Sequence, residues 1–294
     1  MEKSEQEVIG GTVPLNLPDN DCALPSSDGV CLIEPSEVKY YKKFLESLEE
    51  KSDHDPPKLA VEKIKDVLKV DTESEIWENT RFRKFVGADL ADKILEDKFK
   101  PPGPAEGTAL LDNHNIDDNL HQWSKYSKKL FGKKFYHVPF QMIDFADVQS
   151  ELSNLDPGEL MREKYDCFGV VMNTDVSSGP GKHWFCLYGD LARKGTKEDP
   201  IVLEYFNSSG NPPMDSVNVW LEDISHNMLK YHQKYCEITR SAPRRLQHSQ
   251  TECGVWSLLY IRSRLEDHPP NWFYTVKADD RDMIETRKKL FRGD

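Results

Sequence analysis

The run Lys100-Pro-Pro-Gly-Pro-Ala-Glu-Gly107 divides the chain into two stretches that obey different periodicities. Proline locks φ and donates no backbone hydrogen bond, and glycine gives up the most conformational freedom on ordering, so neither a helix nor a ladder strand continues through such a run. Before it, apolar residues recur at helical spacing: Tyr41, Phe44, Leu45 and Leu48, then Leu59, Ile64, Val67 and Leu68, then Ile76, Phe82, Phe85, Leu90 and Ile94. After it come short alternating or apolar runs, Phe135 to Phe145, Asp166 to Asn173, His183 to Tyr188, Ile201 to Phe206 and Tyr235 to Thr239, which read as strands or extended segments. Met214 to Lys234 sets Val217, Trp220, Leu221, Ile224 and Met228 on one helical face. A further helix, the last in this reading, starts near Gln250 and stops before Pro269-Pro270. The first residues are dense in Gly, Pro, Asp and Ser and show no sustained period. The expected organisation is a mobile tail over 1–34, a helical appendage with its linker over 35–107, and a core of strands and helices over 108–294.

Composition removes several functions. The net charge of −12 argues against a partner that presents a phosphate backbone. The longest apolar runs, such as Val255 to Ile261, fall far short of the roughly 20 residues of a membrane span. The opening MEKSEQEVIGG has no basic stretch leading into an apolar one, so no secretory signal is expected. Cys22, Cys31, Cys167, Cys186, Cys236 and Cys253 include no C-x-x-C pair. Structural zinc is therefore not expected, and the cysteines read as free thiols, most of them buried.

One cysteine stands apart. In Gln247-His-Ser-Gln-Thr-Glu-Cys253-Gly-Val-Trp, Ser249 and Glu252 have capping-box spacing, which puts Cys253 in the first turn of a helix. Backbone N–H groups and the positive end of the helix dipole favour a thiolate there. Gly254 would let a substrate backbone come close. A lone cysteine at a helix start is more often packing than chemistry. A thiolate used for acyl transfer also needs a histidine, and that histidine needs a third group to fix its tautomer. His183 opens one strand-like run and Asn207 closes the next, so antiparallel pairing of the two runs brings them to one edge of a sheet. An ordered His, Asn, Cys set is much harder to reach by accident than any one of its members. Asn207, being neutral, can orient an imidazole without adding charge. His226 and His232, six apart on a helix, fall on different faces and argue against a shared metal.

Lys182-His183-Trp184, then Glu204-Tyr-Phe-Asn207-Ser-Ser-Gly210, then Gln250-Thr-Glu-Cys253-Gly254 resemble the adenain and SUMO-protease clan of cysteine peptidases. Within the clan the resemblance is closest to the polyprotein-processing proteases of African swine fever virus and its relatives among large DNA viruses. Leu110 to Asp117 and Phe140 to Phe145 resemble the opening of that catalytic core, and the likeness spans about residues 108–268. It implies an α+β fold, a mixed central sheet flanked by helices, with the helical region as an N-terminal appendage. It further implies Cys253 as nucleophile, His183 as general base and acid, Asn207 as orienter, Trp184 as a shield over their contact, and Asn173 as a substrate-binding residue at the rim. Gln250 would donate to the oxyanion, with Gln247 as rival because its longer spacing is that of the SUMO proteases. The implied substrates are viral polyproteins cut after Gly-Gly for virion maturation, in the virion and host cytoplasm, with no metal or cofactor. Deconjugation of ubiquitin-like modifiers and a non-enzymatic scaffold are the rival functions. Val8-Ile9-Gly10-Gly11-Thr12 offers a diglycine for self-processing.

Overall fold

The computed structural model describes residues 13–24, 31–48, 56–241 and 244–293. The diglycine Gly10-Gly11 lies outside them. The chain forms two compact units, one of Asn16–Ala105 with Lys288–Asp294, the other of Glu106–Arg287 with the described residues 13–15.

The helical unit contains α1 (Pro35–Glu46), α2 (Pro57–Leu68), α3 (Glu73–Glu78), α4 (Thr80–Val86) and α5 (Ala88–Lys98). Its core gathers Tyr41, Phe44, Ile64, Ile76, Trp77 and Phe82, whereas Leu59 stays exposed because the buried stripe of α2 runs through Ala60, Val61 and Ile64, and Phe85 stays exposed because α4 buries Phe82. Lys98 Nζ lies between Glu37 Oε2 at 2.5 Å and Glu73 Oε1 at 2.6 Å, with all three side chains nearly buried. Two expectations are corrected. Cys22 and Cys31 form a disulfide and are not free thiols. The described part of the supposed tail is also built into the unit, with Leu17, Cys22 and Ala23 buried and Ala23 N–H donating to Lys98 O. Its sparse apolar residues are too irregular to show a period, yet several of them are buried, while Leu32 stays exposed. The C-terminal residues belong here too: Arg292 pairs with Glu78, and Phe291 packs where a β-carbon on Gly103 would sit.

The second unit is an α+β layered fold. Its elements are α6 (Asn113–Phe131), β1 (Phe135–His137), β2 (Gln141–Met142), α7 (Pro157–Arg162), β3 (Cys167–Asn173), β4 (Trp184–Asp190), β5 (Ile201–Phe206), α8 (Asp215–His232), β6 (Cys236–Arg240), α9 (Cys253–Leu265), α10 (Trp272–Thr275) and α11 (Asp280–Arg287). The sheet runs β1-β3-β4-β5-β6, with β2 also on β3. The β3–β4 and β4–β5 pairs are antiparallel and the others parallel, so the sheet is mixed. Alternate residues of the central strands face opposite layers. Phe185, Leu187, Leu203 and Tyr205 meet Val217, Trp220 and Leu221 of α8 on one face. On the other face α9 lies against β3 and β4, flanked by α6 and α11. Every residue of α9 is buried, which is why it shows no clear apolar stripe. α6 was not delineated by the apolar spacing. An Asp112–Asn115 capping box starts it and Gly132, in the left-handed region, ends it. α10 and α11 both lie past Pro269-Pro270, beyond the last helix expected from the sequence.

Side-chain charge ties α9 to β5. Glu204, fully buried in β5, accepts from Arg264 Nε at 2.8 Å and Nη2 at 2.9 Å, and from Tyr260 Oη at 2.8 Å. Phe206 stacks on Tyr260 with ring centroids 4.2 Å apart. Removing one partner from such a pair leaves an uncompensated buried charge, whereas replacing both with apolar groups does not. Arg264→Met is therefore expected to cost about 3–5 kcal/mol in denaturant unfolding. The double variant Glu204→Leu with Arg264→Met should recover most of that loss, and equal losses in the two proteins would contradict this account.

Candidate active site

The antiparallel β4–β5 register, with Cys186 opposite Phe206, carries His183 and Asn207 to the same end of the sheet. His183 Nε2 and Asn207 Oδ1 are 2.8 Å apart. The direction of that bond follows from its neighbours. Ser209 N–H, which can only donate, reaches Asn207 Oδ1 at 3.0 Å, and Asn207 Nδ2 donates to Tyr205 Oη at 2.9 Å. The amide is thereby oriented with its oxygen toward the imidazole, so Nε2 carries the proton and Nδ1 the lone pair. Tyr205 Oη in turn donates to Asn211 O at 3.1 Å, fixing the network to the following turn.

Cys253 is the first residue of α9 and is 2% exposed. Burial raises the pKa of its thiol, and the main-chain N–H groups of Trp184, at the start of β4, and of Gly254 draw it down. Burial is the larger influence and leaves the thiol raised above its ordinary value. Burial likewise holds His183 below the usual imidazole range, against the upward pull of its bond to Asn207. Burial thus favours the uncharged form of each group, and the helix terminus only partly offsets desolvation of a thiolate. An imidazole whose Nδ1 is unprotonated can take the proton of a thiol as sulfur attacks a carbonyl.

Residues 247–252 lead into α9 and differ from the sequence expectation. Ser249 Oγ does accept from Glu252 N–H at 3.3 Å, which is half of a capping box. The other half is absent because the Glu252 carboxylate, fully buried, is taken by Arg287 of α11 through Nε at 3.1 Å and Nη2 at 2.9 Å. A buried guanidinium outcompetes a backbone amide for a buried carboxylate. Asp280 of α11 holds the start of the loop, accepting from His248 N–H at 2.7 Å, Ser249 N–H at 2.6 Å and Trp256 Nε1 at 3.1 Å. Neither α11 residue was found from the sequence, since a single clamping side chain leaves no periodic mark.

Gln247 is buried, with Oε1 accepting from Ser208 Oγ at 2.7 Å and Nε2 donating to Ser249 O at 3.0 Å. Gln250 is exposed in the bend before Cys253. Asn173 is 2% exposed and lies beneath the 174–182 turn, where its Oδ1 accepts from Asp175 N–H at 3.0 Å and Lys182 N–H at 2.9 Å. Trp184 donates its indole N–H to Leu111 O at 3.0 Å and meets Phe140 edge to face. A β-carbon on Gly254 would press on Leu111 at 3.0 Å, so this glycine admits Leu111 in place of the expected substrate backbone. No group of three or more His, Cys, Asp or Glu among the described residues is arranged to hold a metal. No helix there is long and apolar enough to cross a membrane.

A cysteine protease of African swine fever virus, from a Malawi tick isolate, is 36% identical over 247 residues, covering 78% of this chain and 85% of its own. The protein of a South African tick isolate, named a SUMO-1 cysteine protease, matches to the same extent. The crystal structure of the African swine fever virus protease superposes with a TM-score of 0.74 at 29% identity, covering 95% of this chain and 98% of that one. No protein-family model matches the chain.

The preference for uncharged forms has a measurable signature. Alkylation of Cys253 by iodoacetamide, followed by mass, is expected to keep accelerating with pH beyond the ordinary thiol range of about 8.5. A plateau reached below pH 7 would instead reveal a preformed thiolate–imidazolium pair.

Proposed function

The chain belongs to the family of the African swine fever virus cysteine protease and is a cysteine peptidase; from that premise we propose that it is an endopeptidase that cuts viral polyproteins after Gly-Gly during virion maturation. Its place of action in this reading is the virion and the cytoplasmic assembly sites of the host cell. The observation that carries the chemistry is the His183–Asn207 contact with its orientation fixed by Ser209, at the end of the strand against which Cys253 opens α9.

Cys253 Sγ attacks the scissile carbonyl while His183 Nδ1 takes the thiol proton. The resulting imidazolium donates that proton to the leaving amine as the C–N bond breaks, and water then hydrolyses the thioester with His183 again as base. Asn207 holds the ring and adds no charge, so the imidazolium is favoured only transiently. The developing oxyanion is met by the Cys253 backbone N–H and the Gln250 side chain. Support for Gln250 over Gln247 comes from burial, because Gln247 is buried and tied through Oε1 and one amide N–H to Ser208 and Ser249, whereas Gln250 is exposed in the bend before Cys253. Asn173 supports the turn that leads to His183, a positioning role in place of the substrate contact first expected. Trp184, anchored to Leu111, keeps one side of the site dry.

A Gly-Gly preference suits the burial of the nucleophile. With Cys253 only 2% exposed, the carbonyl has to be delivered by a slim main chain, and residues without β-carbons meet that demand. The name SUMO-1 cysteine protease carried by one relative favours a second reading, release of ubiquitin-like modifiers. Digestion of a Gly-Gly-Xaa peptide panel and of a folded modifier fusion separates the two. Cutting of the peptides by the wild type and not by Cys253→Ala is the expected result, and cutting of the fusion alone would favour deconjugation. His183→Ala should also be inactive, whereas Asn207→Ala, which keeps both nucleophile and base, should retain a rate roughly tenfold or more above it.

A further inference from the structure

We infer that Asp280 is a positioning residue for the oxyanion-binding bend of this peptidase, a role that rests on the reading of Cys253 as nucleophile and Gln250 as oxyanion donor. Its carboxylate ties two places together. Oδ2 receives the main-chain N–H groups of His248 and Ser249, just before Gln250, and Oδ1 receives the indole N–H of Trp256 within the first turn of α9. Gln250, Thr251, Glu252 and Cys253 lie between those anchors, with Glu252 held separately by Arg287.

The two functional residues in this stretch depend on the clamp unequally. Cys253 is part of a helix buried along its whole length, so packing fixes it whether or not Asp280 is present. Gln250 sits outside the helix in an exposed bend, and its backbone is placed by the neighbours that Asp280 holds. Loss of the carboxylate leaves two amide donors without an acceptor in the bend and frees Gln250 to drift from the position where negative charge develops. Stabilisation of an oxyanion requires its donors within about 2.7–3.1 Å, so a small displacement removes most of the effect.

Two reagents separate oxyanion binding from thiol reactivity and need no specific substrate. In acylation by p-nitrophenyl acetate the bond from Sγ to the carbonyl carbon forms through a tetrahedral oxyanion, the bond to p-nitrophenolate breaks, and the thiol proton passes to His183. In alkylation by iodoacetamide sulfur displaces iodide in one step and no oxyanion forms. The ratio of the two rates, with the modified site confirmed by mass against Cys253→Ala, reports the oxyanion hole alone. Asp280→Ala is expected to lower this ratio about tenfold or more, against the 10²–10³ typical of deleting an oxyanion donor outright. Gln250→Ala should do the same, and combining the two should add little. If Asp280→Ala fails to fold, Asp280→Asn, which keeps the shape and one acceptor oxygen, should show a smaller drop in the same direction. A folded variant with an unchanged ratio overturns the positioning role and leaves the peptidase reading intact. A wild-type protein whose Cys253 is neither acylated nor alkylated overturns the assignment of the nucleophile, and this role with it.

Discussion

A carboxylate in the middle of a β-strand, out of reach of water, is tolerable only opposite a cation and donors held in fixed geometry. Glu204 is such a group, and Arg264 with Tyr260 is its fixed counterpart. Sliding α9 by one turn on the sheet would strand both charges in an apolar layer, so helix and strand have one acceptable register. β5 ends in Asn207 and α9 begins with Cys253. The register that satisfies the ion pair therefore also sets the distance between orienter and thiol, and the hydrogen-bonded ladder from β5 to β4 extends the same constraint to His183. Apolar packing alone would not do this as strictly, because a wholly buried helix has no preferred face to hold its rotation.

Charge is distributed around the site in a second pattern. Full charges stand one step away from the reacting atoms, in the Glu252–Arg287 pair and in Asp280, while the groups in contact with His183 are neutral. Burial then favours the uncharged form of both thiol and imidazole. The thiolate is also the species that oxidants attack, so burial that favours the thiol makes Cys253 less open to oxidation.

The residues proposed to carry the chemistry were legible because that chemistry restricts their types and their order. His183 and Asn207 could be placed at one sheet edge from antiparallel pairing alone. Cys253 could be placed at a helix start from the polar run before it. What was not legible depended on competition among partners distant in sequence. Ser249 and Glu252 have the spacing of a capping box, but Arg287 on one oxygen and the Thr251 hydroxyl on the other take the carboxylate. Gly254 next to the nucleophile invites a substrate reading, and only the approach of Leu111 shows what it accommodates. Gln250 and its rival Gln247 differ in sequence only by their spacing from Cys253, and no spacing reveals that Gln247 is buried with two bonds to Ser208 and Ser249. The Cys22–Cys31 disulfide was hidden by a segment whose composition resembles unstructured chain.

The helical unit takes its residues from both sides of the peptidase unit in the chain, from Asn16–Ala105 and again from Lys288–Asp294. It is therefore not a terminal extension in the genetic sense. A single recombination break at the Pro/Gly linker would transplant most of it but leave Phe291 and Arg292 behind, bereft of Gly103 and Glu78. The residues left behind follow directly on Arg287, the partner of Glu252. Exchange of this unit between lineages thus requires two coordinated breaks, and the two parts of the gene are constrained to descend together.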